Sequence, residues 1–240
     1  MITINNVSKS YDKKKKAVDS LSLDIKAGEI FGFIGHNGAG KTTTIKMITG
    51  INTIDSGEIL IDGINIQENP IKAKLKMGFV PDSPDMFLKL KGIEYLKFMG
   101  SVYGVSGDTL SEKITDLSQR FEMETALKDR IESYSHGMRQ KIILIGALLH
   151  APAIFILDEP MTGLDPRASF TLKELMREEA DKGKTIFFST HVLEVAEKLC
   201  DRIAMINKGK IIFCGHLDEL TAKYEGLTLE EIFMEVTANA

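Results

Sequence analysis

EIFGFIGHNGAGKTT, residues 29–43, runs an apolar strand into a glycine-rich turn and on into a helix. Within it, Gly35-His36-Asn37-Gly38-Ala39-Gly40-Lys41-Thr42 matches G-x-x-x-x-G-K-[ST]. Glycines at those places let backbone amides wrap a phosphate, and the helix behind them presents its positive end to the anion. Lys41 is spaced to reach the β- and γ-phosphates, and the Thr42 hydroxyl to ligate magnesium. A merely structural turn explains neither Lys41 nor the threonines that follow it. The stretch reads as a nucleotide site, and its strand–loop–helix order makes the chain α/β.

Upstream, ITINNV and LSLDI read as strands. Between them DKKKK reads as a solvated turn, with a phosphate or membrane-surface role for Lys13 to Lys16 as the second reading. Downstream, EILIDGINI signals a hairpin, because Asp62-Gly63 suits a two-residue turn. From Phe87 to His150 apolar residues recur at helical spacing in LKGIEYLKFMGSVYG, SEKITDLSQRF and HGMRQKIILIGALLH, with no strand pattern. AIFILD, TIFFST, RIAMIN and KIIFCG then alternate with helices, which indicates a largely parallel sheet. The expected organisation is a single domain over 1–240. Residues 1–86 and 151–220 form an α/β core with an N-terminal antiparallel β subdomain, and 87–150 an inserted α-helical subdomain. Residues 221–240 form a tail, where LTLEEIFMEVTANA reads as a short amphipathic helix and then frayed residues.

The 240 residues are 43% apolar and 27% charged, with a formal net charge of -4. That is an ordinary globular mixture without the basic face of a nucleic-acid binder, so no nucleic-acid partner is expected. Cys200 and Cys214 fit no metal spacing and read as buried thiols of a reducing compartment. The opening MITINNVSKSYD lacks a signal-peptide core, and the apolar run Ile142 to Leu149 is too short to span a bilayer. The chain therefore reads as soluble, with any membrane role supplied through a partner.

Two further stretches carry chemistry. In Ala153-Ile154-Phe155-Ile156-Leu157-Asp158-Glu159 an apolar strand delivers Asp158 for a second magnesium contact, and Glu159 follows where a water can be oriented. In Tyr134-Ser135-His136-Gly137-Met138, serine and histidine are neighbours that do not face each other on a helix, so they make no nucleophile–base pair. Ser135 and Gly137 instead open a helix, where a hydroxyl, backbone amides and the positive helix end can hold a phosphate.

Taken in order, these motifs resemble the ATP-binding subunits of ABC transporters over nearly the whole chain. GHNGAGKTT resembles the family's phosphate loop, IFILDEP its acidic strand and YSHGM its signature. Thr162-Gly163-Leu164-Asp165 looks like its D-loop, and His191 like its switch histidine. Tyr11 falls where the family places an aromatic ring against adenine. The resemblance implies a P-loop NTPase core and a dimer, homomeric or with a paralogous ATPase, enclosing two Mg-ATP. Residues 35 to 43 of one chain would face Ser135, Gly137 and Asp165 of the other. It also implies catalytic roles for Lys41, Glu159 and His191, magnesium ligation by Thr42 and Asp158, and separate membrane permease subunits. The chain would then lie in the cytoplasm, peripheral on the inner face of the membrane. By themselves, Tyr11 also reads as a strand-edge residue, His191 as a surface or helix-start residue, and Asp165 as a helix N-cap before Pro166.

His136 and Met138 stand where the family's signature usually has glycine and glutamine. Asp82, in GFVPDSP, stands where the family usually has a magnesium-contacting glutamine, and is expected to keep that contact. GFVPDSP and GMRQK look more like the ABC-2 branch of exporters, and the stretch around Asp82 and DSPDMFLKL is where the family docks its permease. The alternatives are a non-transport ABC ATPase acting on a soluble assembly, or another phosphate-loop enzyme. Against a GTPase, Asn207-Lys208-Gly209-Lys210 has lysine where the guanine motif needs aspartate.

Overall fold

The computed structural model describes residues 1–11, 16–224 and 226–238, so most of the DKKKK turn lies outside the described residues. Strand β1 (Ile2–Ser10) is followed by β2 (Lys16–Ile25), β3 (Ile30–Ile34), helix α1 (Lys41–Ile48), β4 (Ser56–Ile61), β5 (Ile64–Asn65), α2 (Pro70–Leu75) and β6 (Met77–Val80). Three helices come next: α3 (Gly92–Val102), α4 (Gly107–Arg120) and α5 (His136–Leu148). The chain then alternates β7 (Ile154–Asp158), α6 (Pro166–Asp181), β8 (Thr185–Thr190), α7 (Leu193–Leu199) and β9 (Arg202–Asn207). It closes with β10 (Lys210–His216), α8 (Leu217–Lys223) and α9 (Leu229–Ala238).

Two sheets result. The antiparallel one has the order β2-β1-β4-β5, and the larger has the order β10-β9-β3-β8-β7-β6, parallel except for β10. Its central strands β3, β7 and β8 are buried along their whole length, which is why they read as unbroken apolar runs. Alternate residues serve opposite faces. Ile154, Ile156 and Phe187 pack with Ile2, Ile4 and Ile59 of the antiparallel sheet. Phe155, Leu157 and Phe188 pack with α5, α6 and the helical segment. The Asp62-Gly63 hairpin forms in the expected register, with Ile61 opposite Ile64.

Several features differ from the sequence expectation. Strand β2 starts five residues before LSLDI, and α2 and β6 carry too few residues to show a period of their own. Strand β6 is defined by its parallel partner β7. The expected burial of both cysteines fails at Cys214, which is exposed because β10 is an edge strand, while Cys200 is half-buried. Between residues 87 and 150 no strand forms, only an isolated bridge of Lys91 to Arg130. Among the described residues no helix is long and apolar enough to cross a membrane.

Candidate functional site

The carboxyl ends of β3, β7 and β8 open on one side of the larger sheet, where ligands of open α/β sheets bind. A cleft of about 210 Å³ lies there, lined by the loop from His36 to Thr43 together with Ala17, Asp82 and Glu159. Gly40 takes φ 117°, and a Cβ there would stand 2.8 Å from the Ala17 carbonyl oxygen, so this turn into α1 admits glycine alone. Lys41 is 6% exposed, and its Nζ donates to the Gly35 carbonyl at 2.6 Å and the His36 carbonyl at 3.4 Å. The cation is thus held inside the loop that lines the cleft.

Asp158 ends β7 and is 1% exposed. Burial pushes its carboxyl above the usual range, while hydrogen bonds from Ser189 and Thr42 pull it down and Asp82 and Glu159 add to the rise. Ser189 is its register partner on β8: the hydroxyl donates to Asp158 at 2.6 Å and accepts from the Glu159 amide at 3.0 Å. One hydroxyl therefore ties the Asp158 carboxylate to the Glu159 backbone. Glu159 adopts φ 50°, a left-handed conformation uncommon for a non-glycine residue and common at functional sites. Its Oε1 lies 3.2 Å from Lys41 Nζ without making a hydrogen bond, and its Oε2 lies 2.9 Å from His191 Nδ1 and 3.3 Å from the His191 amide. The Glu159 carboxylate is therefore held from both sides beside the phosphate loop, with Oε1 buried against the Lys41 ammonium and Oε2 against His191.

Thr42, Asp158 and Asp82 offer hard oxygens in one place, the donor set that suits magnesium. No cluster of three or more metal-ligating His, Cys, Asp or Glu side chains occurs among the described residues. Tyr11 stands over the start of α1, exposed, with its hydroxyl 3.4 Å from Thr43 Oγ1 and 2.7 Å from the Asn52 amide nitrogen that donates to it.

Ser135, Gly137 and Asp165 are not among the residues lining this cleft. They form a second assembly. Ser135 caps α5, its hydroxyl accepting from the Met138 amide at 3.2 Å. Asp165 caps α6, accepting from the Ala168 amide at 2.8 Å and pairing with Lys141 at 2.7 Å. The Lys141 ammonium, helped by that amide, holds the Asp165 carboxyl below its usual range. A Cβ on Gly137 would stand 2.6 Å from the Gly163 carbonyl oxygen, so the two loops touch through backbone. Sequence reading missed Ser189, Asn52 and Lys141. Only Ser189 had a legible signal, as the polar end of a strand beside the acidic one.

Known proteins resemble this chain in sequence and in fold. A family model described as ABC transporter matches residues 18–162. The chain is 37% identical over 238 residues to the ABC transporter ATP-binding protein NatA of Bacillus subtilis, spanning 98% of this chain and 97% of the relative. It is 33% identical to Nod factor export ATP-binding protein I of Cupriavidus metallidurans, spanning 97% of this chain and 77% of that one. Among solved structures, an ATP-binding subunit of an ABC transporter superposes with a TM-score of 0.94 at 31% identity, covering 99% of both chains. A dimeric ATP-binding cassette in a post-hydrolysis state with ADP and Pi superposes with a TM-score of 0.82 at 25% identity, covering 90% of this chain and 99% of that one.

Proposed function

Because this chain belongs to the ABC transporter family of ATP-binding subunits, we propose that it closes as a dimer around two Mg-ATP and powers export through separate membrane permease subunits. It is an ATP-binding ATPase subunit. The observation that carries the mechanism is the convergence of Lys41, Glu159 and His191 beside the phosphate loop.

In this reading the loop amides and Lys41 bind the β- and γ-phosphates, and Tyr11 backs the adenine. Magnesium, when bound, neutralises charge spread over those phosphates, and Thr42, Asp158 and Asp82 hold it. Glu159 orients the attacking water and takes its proton as the water oxygen bonds to the γ-phosphorus and the bond to the β-phosphate oxygen breaks. His191 holds Glu159 and contacts the γ-phosphate. Ser135, Gly137 and Asp165 serve the nucleotide of the other subunit, which accounts for their place outside their own chain's cleft. The helical segment 87–150 is then a subdomain of the 1–240 cassette, inserted between core segments 1–86 and 151–220.

Export is supported by relatives named for Nod factor export and linearmycin resistance. Docking of a permease near DSPDMFLKL is supported by Met86, Phe87 and Phe98, all exposed there. The chain would then sit at the inner face of the cell membrane.

Glu159→Gln should abolish ATP turnover while retaining ATP; wild-type turnover would refute the role of Glu159. Purification of the tagged chain from gently solubilised membranes of its host should recover a polytopic membrane protein stoichiometrically. Recovery with soluble assemblies alone would remove transport and leave the ATPase.

A further inference from the structure

The C-terminal helix touches the phosphate loop. Helix α9 opens on a capping box, in which Thr228 Oγ1 accepts from the Glu231 amide at 3.3 Å and the Glu231 carboxylate accepts from the Thr228 amide at 2.8 Å. Leu229, Ile232 and Phe233 follow at helical spacing and are 1%, 0% and 3% exposed. They complete a core cluster with Ile34, Ala196, Ile203 and Met205. Ile34 ends β3 immediately before Gly35, and Ala196 lies on α7, the helix that follows His191. The Phe233 ring meets the His36 imidazole edge-on, with centroids 4.8 Å apart and planes at 71°. One helix thus rests on the strand that delivers the phosphate loop, on a residue of that loop, and on the helix behind the histidine that holds Glu159.

We propose that Phe233 is a positioning residue for the phosphate loop, and that through it nucleotide occupancy and docking of α9 are coupled. The proposal rests on the ATP-site reading above. A loop that grips phosphate with backbone amides binds best when held in its receiving geometry beforehand, because ordering it on binding subtracts from affinity. The buried Phe233 ring limits where His36, and so its two backbone neighbours, can go. Linkage makes the effect reciprocal: whatever Phe233 adds to nucleotide affinity, nucleotide adds to α9 docking.

The test uses the full chain with MgADP, which binds without turnover. Phe233→Ala and His36→Ala should each weaken ADP binding about fivefold, and the double variant should be little weaker than either. In wild type, saturating MgADP should slow amide exchange in 229–238, and His36→Ala should remove that slowing. The proposal is overturned if those amides exchange alike with and without ADP while the loop amides slow, or if the two substitutions weaken binding independently. Should Phe233→Ala fail to fold, His36→Ala and the wild-type exchange pattern still decide. Failure of wild type to bind ADP at all would instead overturn the nucleotide-site reading.

Discussion

Asn52 donates to the Tyr11 hydroxyl at 2.7 Å, and this, with the longer contact to Thr43 at 3.4 Å, holds a ring that is 65% exposed. Loss of one such hydrogen bond is worth on the order of 1 kcal/mol. Asn52→Ala should therefore raise the Michaelis constant for ATP about fivefold with little change in kcat, and Tyr11→Phe should do the same, with no further loss when the two are combined. An unchanged Michaelis constant in both variants would separate Tyr11 from the base. At Gly137, a side chain meets the Gly163 carbonyl at 2.6 Å on rigid backbone. Gly137→Ala should thus depress turnover sharply by parting the two loops, and steady-state kinetics on folded variant would show it. Wild-type turnover would deny that the loops must touch. The phosphate loop was legible residue by residue, since its chemistry is written in consecutive positions. Asn52 and Lys141 were not, because they act on Tyr11 and Asp165, far away in the chain, and Ser189 was legible only as the polar end of a strand, not as the partner of Asp158.

Among the elements, the helical segment is pinned to the core at His150, just past α5. Its ring stacks on Tyr103 with centroids 3.6 Å apart and planes at 7°, and its Nε2 bonds the Met77 carbonyl at 3.1 Å. Nδ1 has no hydrogen-bond partner. Burial pushes the imidazole down to about 4, with repulsion from Lys113 and Lys184 in the same direction and the Met77 carbonyl opposing. The folded group is depressed below its unfolded value, so its contribution is fully present above pH 6.5 and is lost as pH falls toward 4. Discounted for solvent screening of a ring that is only partly buried, the linkage is worth on the order of 1 kcal/mol at the acid end. The thermal midpoint of wild type should fall more steeply over that window than that of His150→Phe, which keeps a ring on Tyr103 and cannot titrate. Parallel slopes would show that carboxylates alone govern the acid limb. The long helices and buried strands were readable because their periods span many residues. Helix α2 and strand β6 were not, because six and four residues hold too little pattern and only packing against β7 defines them.

For the whole molecule, Ser135, Gly137 and Asp165 stand outside the cleft lined by their own chain's phosphate loop, which a composite site between two copies requires. Glu159→Gln with Mg-ATP should therefore elute as a dimer in size-exclusion chromatography. Adding Ser135→Arg should leave it monomeric yet still able to bind ATP at its own phosphate loop. A dimer that survives Ser135→Arg would place the interface elsewhere. The sequence by itself determined the α/β class, the phosphate loop, the acidic strand and the order of the motifs, because each depends on local spacing and on chemistry carried by neighbours in the chain. Tertiary structure alone decided that Ser189 ties the Asp158 carboxylate to the Glu159 backbone, that Cys214 is exposed on an edge strand, and that Phe233 reaches back to His36. Such contacts arise from strand register, sheet edges and the packing of distant segments, and no local pattern encodes which distant partner a side chain will meet.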